Sequence, residues 1–182
     1  MRARSLSTGT VARLWVFVVL LGACCVASAE PDLKAWTGAN PAPPIELNTL
    51  DGQPFQLQQL RGKVVLVNFW ATWCEPCVEE MPSIQKLRTR LAGAPFEVVA
   101  VNLGEGEARI RAFLEKVPLD FPIVRDTDGA VSRAWQARMF PSSYLVDAEG
   151  KIRYVRTGAI DWSAPANVKT VESLLPRGQK AK

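Results

Sequence analysis

Val64-Val65-Leu66-Val67-Asn68-Phe69-Trp70 runs directly into Ala71-Thr72-Trp73-Cys74-Glu75-Pro76-Cys77, and this junction decides the fold. The stretch from Lys63 to Trp70 is a near-continuous apolar run, the pattern of a strand buried on both faces. Beyond the cysteines, Val78, Met81, Ile84, Leu87 and Leu91 recur at three- and four-residue spacing, which predicts an amphipathic helix. Glu75, Glu79 and Glu80 crowd the start of that helix and Lys86, Arg88 and Arg90 its end, as suits the helix dipole. Gly93 is placed to cap it, and Pro82 should kink it about two turns in. Two cysteines separated by two residues between a strand and a helix read as a redox-active dithiol. A helical turn brings both sulfurs within disulfide reach. The first then lies at the helix N-terminus, where unpaired N–H groups favour the attacking thiolate.

Other uses of the cysteines fit poorly. A zinc site takes four ligands, and the chain has four cysteines, no histidine, and two of those cysteines (Cys24 and Cys25) in a targeting-like segment. Haem attachment would need histidine at the position of Val78. A structural bridge across two residues closes too small a loop to add much stability.

The 182 residues, 48% hydrophobic and 22% charged, fit one globular domain with appendages. Residues 1–29 carry Arg2, Arg4 and Arg13 and no acid; without them the net charge of +4 falls to 19 basic against 18 acidic residues. That balance gives no nucleic-acid footprint. The lack of histidine excludes His-based triads and His-ligated metals, and neither a metal nor a bound cofactor is expected beside the dithiol.

The N-terminus reads as an export address. Arg2, Arg4 and Arg13 precede the apolar run Leu14 to Ala23, and Ala27-Ser28-Ala29 is a cleavage signal that would make Glu30 the first mature residue. Leu21-Gly22-Ala23-Cys24 equally resembles a bacterial lipoprotein box, with Cys24 as the lipidated residue. An uncleaved anchor is the third reading, although only 16 residues separate Arg13 from Glu30, against the ~20 that usually span a bilayer. All three place the domain outside the cytoplasm, in the periplasm or at the outer face of the membrane. In that oxidising compartment a dithiol needs an electron source or a task as an oxidant.

Residues 30–44, rich in Pro, Ala and Gly, read as a tether. The domain is expected over 45–175, with a basic, frayed tail over 176–182. Ile45 to Leu57 carries two strand-like runs around Asp51-Gly52, a hairpin signal. Phe96 to Asn102 is the next apolar strand, completing a right-handed βαβ unit. Glu105 to Val117 reads as an inserted helix with Ile110, Phe113, Leu114 and Val117 on one face. Phe121 to Val124 is a short strand, and Gly129 to Ala137 a short helix burying Val131 and Trp135. Ser143 to Asp147 and Lys151 to Val155 form a hairpin, and Val168 to Leu175 a last helix. The sum is an α/β fold: a mixed central sheet flanked by helices, with an N-terminal β-hairpin and a helical insertion after the βαβ unit.

Trp73-Cys74-Glu75-Pro76-Cys77 resembles the thioredoxin superfamily. Val67-Asn68-Phe69-Trp70-Ala71-Thr72, Glu80-Met81-Pro82, Ala100-Val101-Asn102-Leu103-Gly104-Glu105, Phe121-Pro122, Asp126-Thr127-Asp128 and Phe140-Pro141-Ser142-Ser143 are similar to one branch of it, the exported thiol–disulfide oxidoreductases of the ResA/TlpA type, with a redoxin-like domain. The resemblance covers Ala42 to Leu175. It implies a thioredoxin fold and the reduction of protein disulfides outside the cytoplasm, often in apocytochrome c before haem attachment. It implies Cys74 as nucleophile and Cys77 as resolving cysteine, a cis bond before Pro141, and substrate contact at Trp73, Phe140 and Pro141. It also implies recharging by a membrane thiol carrier of the DsbD/CcdA type; a monomer is expected. Many thioredoxins carry an aspartate where this chain has Asn68, which cannot ionise. In the ResA type a glutamate aligned with Glu105 takes that proton-transfer role, though Glu105 reads equally well as an exposed acid in a helix first turn. Trp73 shields the sulfurs and meets substrate, or else is a half-buried core aromatic.

Glu75 and Pro76 tune the potential. A carboxylate about 7 Å from a thiolate, at effective ε of 20 to 80, opposes its formation by roughly 0.6–2.4 kcal/mol. The helix terminus favours the thiolate by ~0.3–2 kcal/mol. Strong oxidants stabilise their thiolate form, so an acid here tilts the site toward a reductant. A disulfide oxidase or isomerase on the same fold is the alternative in catalysis, and a non-catalytic chaperone or adaptor the alternative outside it. Peroxiredoxins place threonine three residues before the reactive cysteine, whereas this chain has Ala71 there and Thr72 one residue later.

Overall fold

The computed structural model describes residues 32–176. The export segment, Cys24 and the tail beyond Pro176 lie outside the described residues.

Strand β4 (Val64–Trp70) is buried at every position, and the sheet is built around it. It pairs in parallel with β5 (Phe96–Leu103), which pairs in parallel with β6 (Ile123–Asp126). On its other side β4 pairs antiparallel with β7 (Ser142–Val146), followed by β8 (Ile152–Thr157) and, at the edge, β1 (Lys34–Ala35). Alternation along β4 splits the core in two. Val64, Leu66 and Trp70 face α1 (Glu75–Arg90), α2 (Glu107–Leu114) and α4 (Pro165–Leu174). Val65, Val67 and Phe69 face Trp135 at the end of α3 (Ala130–Ala134), together with Ile45 and Leu57 beside the hairpin β2–β3 (Glu46–Asn48 and Pro54–Gln56). The fold is that of thioredoxin, with the expected hairpin and inserted helix.

Four local readings change. The stretch read as a tether is docked from Asp32 onward. Lys34 and Ala35 pair with Val155 and Tyr154, Leu33 is buried, and Asn40 caps β8 by accepting from the Ile152 N–H at 2.7 Å. An edge strand left bare exposes a row of unpaired backbone groups, and this short strand covers it. The inserted helix starts at Glu107 and ends at Leu114, because Gly104 is left-handed (φ 68°) and Gly106 is extended; Glu105 therefore sits in the loop before the helix. In α3 the buried side chain is Ser132, held by Asp126, while Val131 is half-buried. Strand β6 begins two residues later than expected, after Pro122, which has no N–H to give to a ladder. The first helix runs from Glu75 to Arg90 without a break at Pro82.

Candidate functional site: a dithiol between two buried carboxylates

The C-terminal end of β4 delivers the chain into a turn, closed by the Cys74 N–H donating to the Ala71 carbonyl, and then into α1. Cys74 is the N-cap of α1, with an extended backbone. Pro76, in the first turn, lacks only a donor that the helix could not use there. Cys74 and Cys77 are joined as a disulfide with Cα atoms 5.3 Å apart. The Cys77 N–H points at the Cys74 sulfur at 3.3 Å. That sulfur therefore takes the place of a capping oxygen, and negative charge on it would be stabilised by an N–H otherwise unpaired. Exposure separates the two: Cys74 is 7% exposed and Cys77 fully buried, so an incoming disulfide meets Cys74 first.

Trp73 is 60% exposed, which rules out the core-aromatic reading. Its ring stands edge-on to Phe140, with centroids 6.3 Å apart. The Phe140–Pro141 peptide bond is cis. The Pro141 carbonyl accepts from the Gly158 N–H, and β7 begins at the next residue. Glu75 and Pro76 are exposed at the mouth. The structure thus brings Trp73, Cys74, Phe140 and Pro141 to one end of the sheet.

Glu105 is 7% exposed, so the exposed-acid reading does not hold. Its carboxylate accepts from the Thr72 N–H at 2.7 Å, the Thr72 hydroxyl at 2.5 Å and the Asn102 amide at 2.7 Å. The Arg109 guanidinium lies 3.8 Å away. Every one of these partners is a donor, and together they tie the loop that carries Trp73 and Cys74 to the end of β5.

A second buried carboxylate was hidden in the sequence. Glu80 follows Cys77 by three residues, so the two share a face of α1. Its Oε1 accepts from the Ile160 N–H at 3.1 Å and the Trp162 indole at 2.9 Å, and its Oε2 accepts from Asn68 at 3.0 Å. Burial outweighs these bonds and pushes the Glu80 carboxyl up to about 7. Asn68 also donates to the Ser143 hydroxyl at 2.8 Å, across the β4–β7 pair, and its own Oδ1 has no partner. A clue existed at the level of spacing: Glu80 lies on the apolar stripe of Cys77, Met81, Ile84 and Leu87, where a charge is out of place.

The chain matches the Redoxin family over residues 37–175. It belongs to that family. Two thiol–disulfide oxidoreductases ResA are similar over most of their length: that of Geobacillus thermodenitrificans is 34% identical, with 81% of this chain and 84% of the relative covered, and that of Bacillus subtilis 33% identical, with 81% and 82% covered. A thiol:disulfide interchange protein of the thioredoxin family from Chlorobium tepidum has a solved structure that superposes with a TM-score of 0.65 at 27% identity, covering 77% of this chain and 99% of that one. This redoxin is a thiol–disulfide oxidoreductase, with Cys74 and Cys77 bonded at the head of α1.

Proposed function

We propose that the chain is an extracytoplasmic protein-disulfide reductase. The observation that carries this reading is the unequal placement of the two sulfurs at a helix N-terminus. The Cys74 thiolate attacks one sulfur of a substrate cystine, forming a mixed disulfide and expelling the other substrate sulfur as a thiolate. The Cys77 thiolate then attacks the Cys74 sulfur, which re-forms the internal disulfide and releases the second substrate thiol. Two electrons pass from the dithiol to the substrate. The dithiol carries them itself, so no bound cofactor enters the scheme.

Cys77 must lose a proton in a site closed to water. Glu80 is one helical turn away, and its carboxyl titrates at about 7, so it can accept that proton at neutral pH. Glu105, saturated by donors, serves as the clamp on the Thr72–Cys74 loop. The reductant direction rests on Glu75 at the helix mouth, whose charge opposes the Cys74 thiolate. The export signals before residue 30 support a site outside the cytoplasm, recharged there by a membrane thiol carrier. Apocytochrome c and other exported proteins with cystines are the substrates this chemistry serves.

A Cys77→Ser variant is expected to accumulate mixed disulfides through Cys74, and mass spectrometry of the trapped partners names the substrates. The reduction potential tests direction. A value near that of thioredoxin, about −270 mV, supports a reductant, whereas one near about −120 mV would make the chain an oxidase.

A further inference from the structure

Among the described residues only two large apolar side chains stand mostly in solvent, Trp73 at 60% and Met139 at 64%. Scattered exposed apolar residues need no explanation. These two are not scattered. Trp73 precedes the nucleophile, Met139 lies two residues before Pro141, and Phe140 between Met139 and Pro141 packs edge-on against Trp73.

The segment carrying Met139 is fixed along its length. Trp135 is buried, and its carbonyl accepts from the Tyr144 hydroxyl at 2.7 Å. Gln136 adopts a left-handed backbone (φ 58°), which turns the chain out of α3. Ala137 is buried again and donates its N–H to the Ser132 carbonyl. The Met139 carbonyl accepts from the Ser142 hydroxyl at 2.6 Å, which closes the loop onto the first residue of β7. The backbone is pinned on both sides of a thioether left in water. Such an arrangement has already met the backbone part of the ordering cost of a contact that it does not yet make.

We propose that Met139 is a specificity-determining contact: with Trp73 it forms an apolar collar that receives an aliphatic or aromatic side chain next to the cystine of an extended polypeptide substrate. This rests on the disulfide-reductase reading above. The occupant follows from continuity with the dithiol. A substrate sulfur must reach Cys74, and in an extended chain the residue next to that cysteine is displaced by only about 3.5 Å along the backbone. Side chains flanking a substrate cystine therefore pass over Trp73 and Met139. An unbranched thioether adapts to apolar groups of varied shape, which suits a reductase with several clients.

The test compares two peptides of equal length, each with one internal cystine, flanked by leucine in one and by glycine in the other. Reduction is followed with the full-length reduced chain. The wild type is expected to favour the leucine peptide in kcat/KM by about fivefold to tenfold, chiefly through KM. Met139→Ala should collapse that ratio toward one, and Met139→Leu should restore most of it. A ratio unchanged in Met139→Ala overturns the proposal, as does a wild type that reduces both peptides equally; in either case the reductase reading stands. If the wild type reduces neither peptide, that reading falls and this one with it. Self-association lost in Met139→Ala, with no peptide preference, would give the patch to a second copy of the chain and also overturn the proposal.

Discussion

Glu80 and Glu105 are both buried carboxylates beside the dithiol, and each takes an asparagine amide and a backbone N–H; they differ in the remaining donors and in how near a guanidinium lies. Glu105 takes two bonds from one residue of the nucleophile loop, a third from Asn102, and has a guanidinium 3.8 Å away. Glu80 takes its bonds from an indole, an amide and one backbone N–H, with Arg156 contributing the least of the favourable influences on its charge. Desolvation is therefore only partly offset at Glu80, whose carboxyl is carried up to about 7. On the proposed mechanism one acid holds a loop in place and the other moves a proton. The neighbours decide the role, since the side chain is the same.

Replacing Glu80 should have the largest effect. Glu80→Gln keeps the shape and removes the titration. Single-turnover release of substrate from the mixed disulfide is expected to slow by about a hundredfold, with the inflection near pH 7 gone. An inflection that survives in Glu80→Gln would assign the proton step to another group. Stability gives a second readout. The folded carboxyl titrates above its ordinary value of 4.5, so the folded chain binds more protons between 4.5 and about 7. Stability from this group is fully present below pH 4.5 and is lost as the pH rises through about 7, by about 3 kcal/mol at most. Glu80→Gln should flatten that decline in denaturant titrations of the oxidised protein.

The clamp comes next. Glu105→Ala leaves the Thr72 N–H and the Asn102 amide without their acceptor, at a cost of about 2–3 kcal/mol in unfolding free energy. The pH inflection near 7 should persist in this variant, which separates the clamp from the proton acceptor. Loss of the inflection with little loss of stability would exchange the two roles.

The two acids also differ in how far sequence reveals them. The dithiol, its strand and its helix were legible because each is a local pattern: an apolar run, a three-to-four spacing and a CxxC pair. The hairpin at Asp51-Gly52 was legible for the same reason. Glu80 satisfies the dipole rule as well as lying on the apolar stripe of α1, so the spacing is ambiguous, and the tertiary neighbours at 68 and 160–162 decide that it is enclosed. The apolar spacing carries the inserted helix back to Glu105, but the left-handed Gly104 and extended Gly106 start it two residues later, at Glu107. Strand β1 owes its existence to an edge of β8 more than a hundred residues away, and no property of Lys34 and Ala35 announces it. Met139 is an unremarkable loop residue until the fixed backbone around it, and its place next to the Phe140 that packs on Trp73, are known.

Asn68 offers the smallest and most discriminating change. Its amide lies 3.0 Å from Glu80 and cannot ionise. Asn68→Asp places a second carboxyl there, and two carboxyls at that separation cannot both carry charge in a dry site, so they share a proton. The pair then titrates in two macroscopic steps, the upper one belonging to both residues. The upper step should move above the wild-type value of about 7 by roughly one pH unit, equivalent to ~1.4 kcal/mol. The direction is the useful part. A higher titration point keeps the pair half-protonated at neutral pH, which slows proton acceptance from Cys77 there and moves the optimum of substrate release toward alkali. The Ser143 hydroxyl, which accepts from Asn68 in the wild type, can rotate to donate to the new carboxylate, so the β4–β7 bridge survives the exchange. An unmoved profile in Asn68→Asp, together with a normal one in Glu105→Ala, would leave neither buried acid as the proton acceptor and would pass that role to solvent at the mouth of the site.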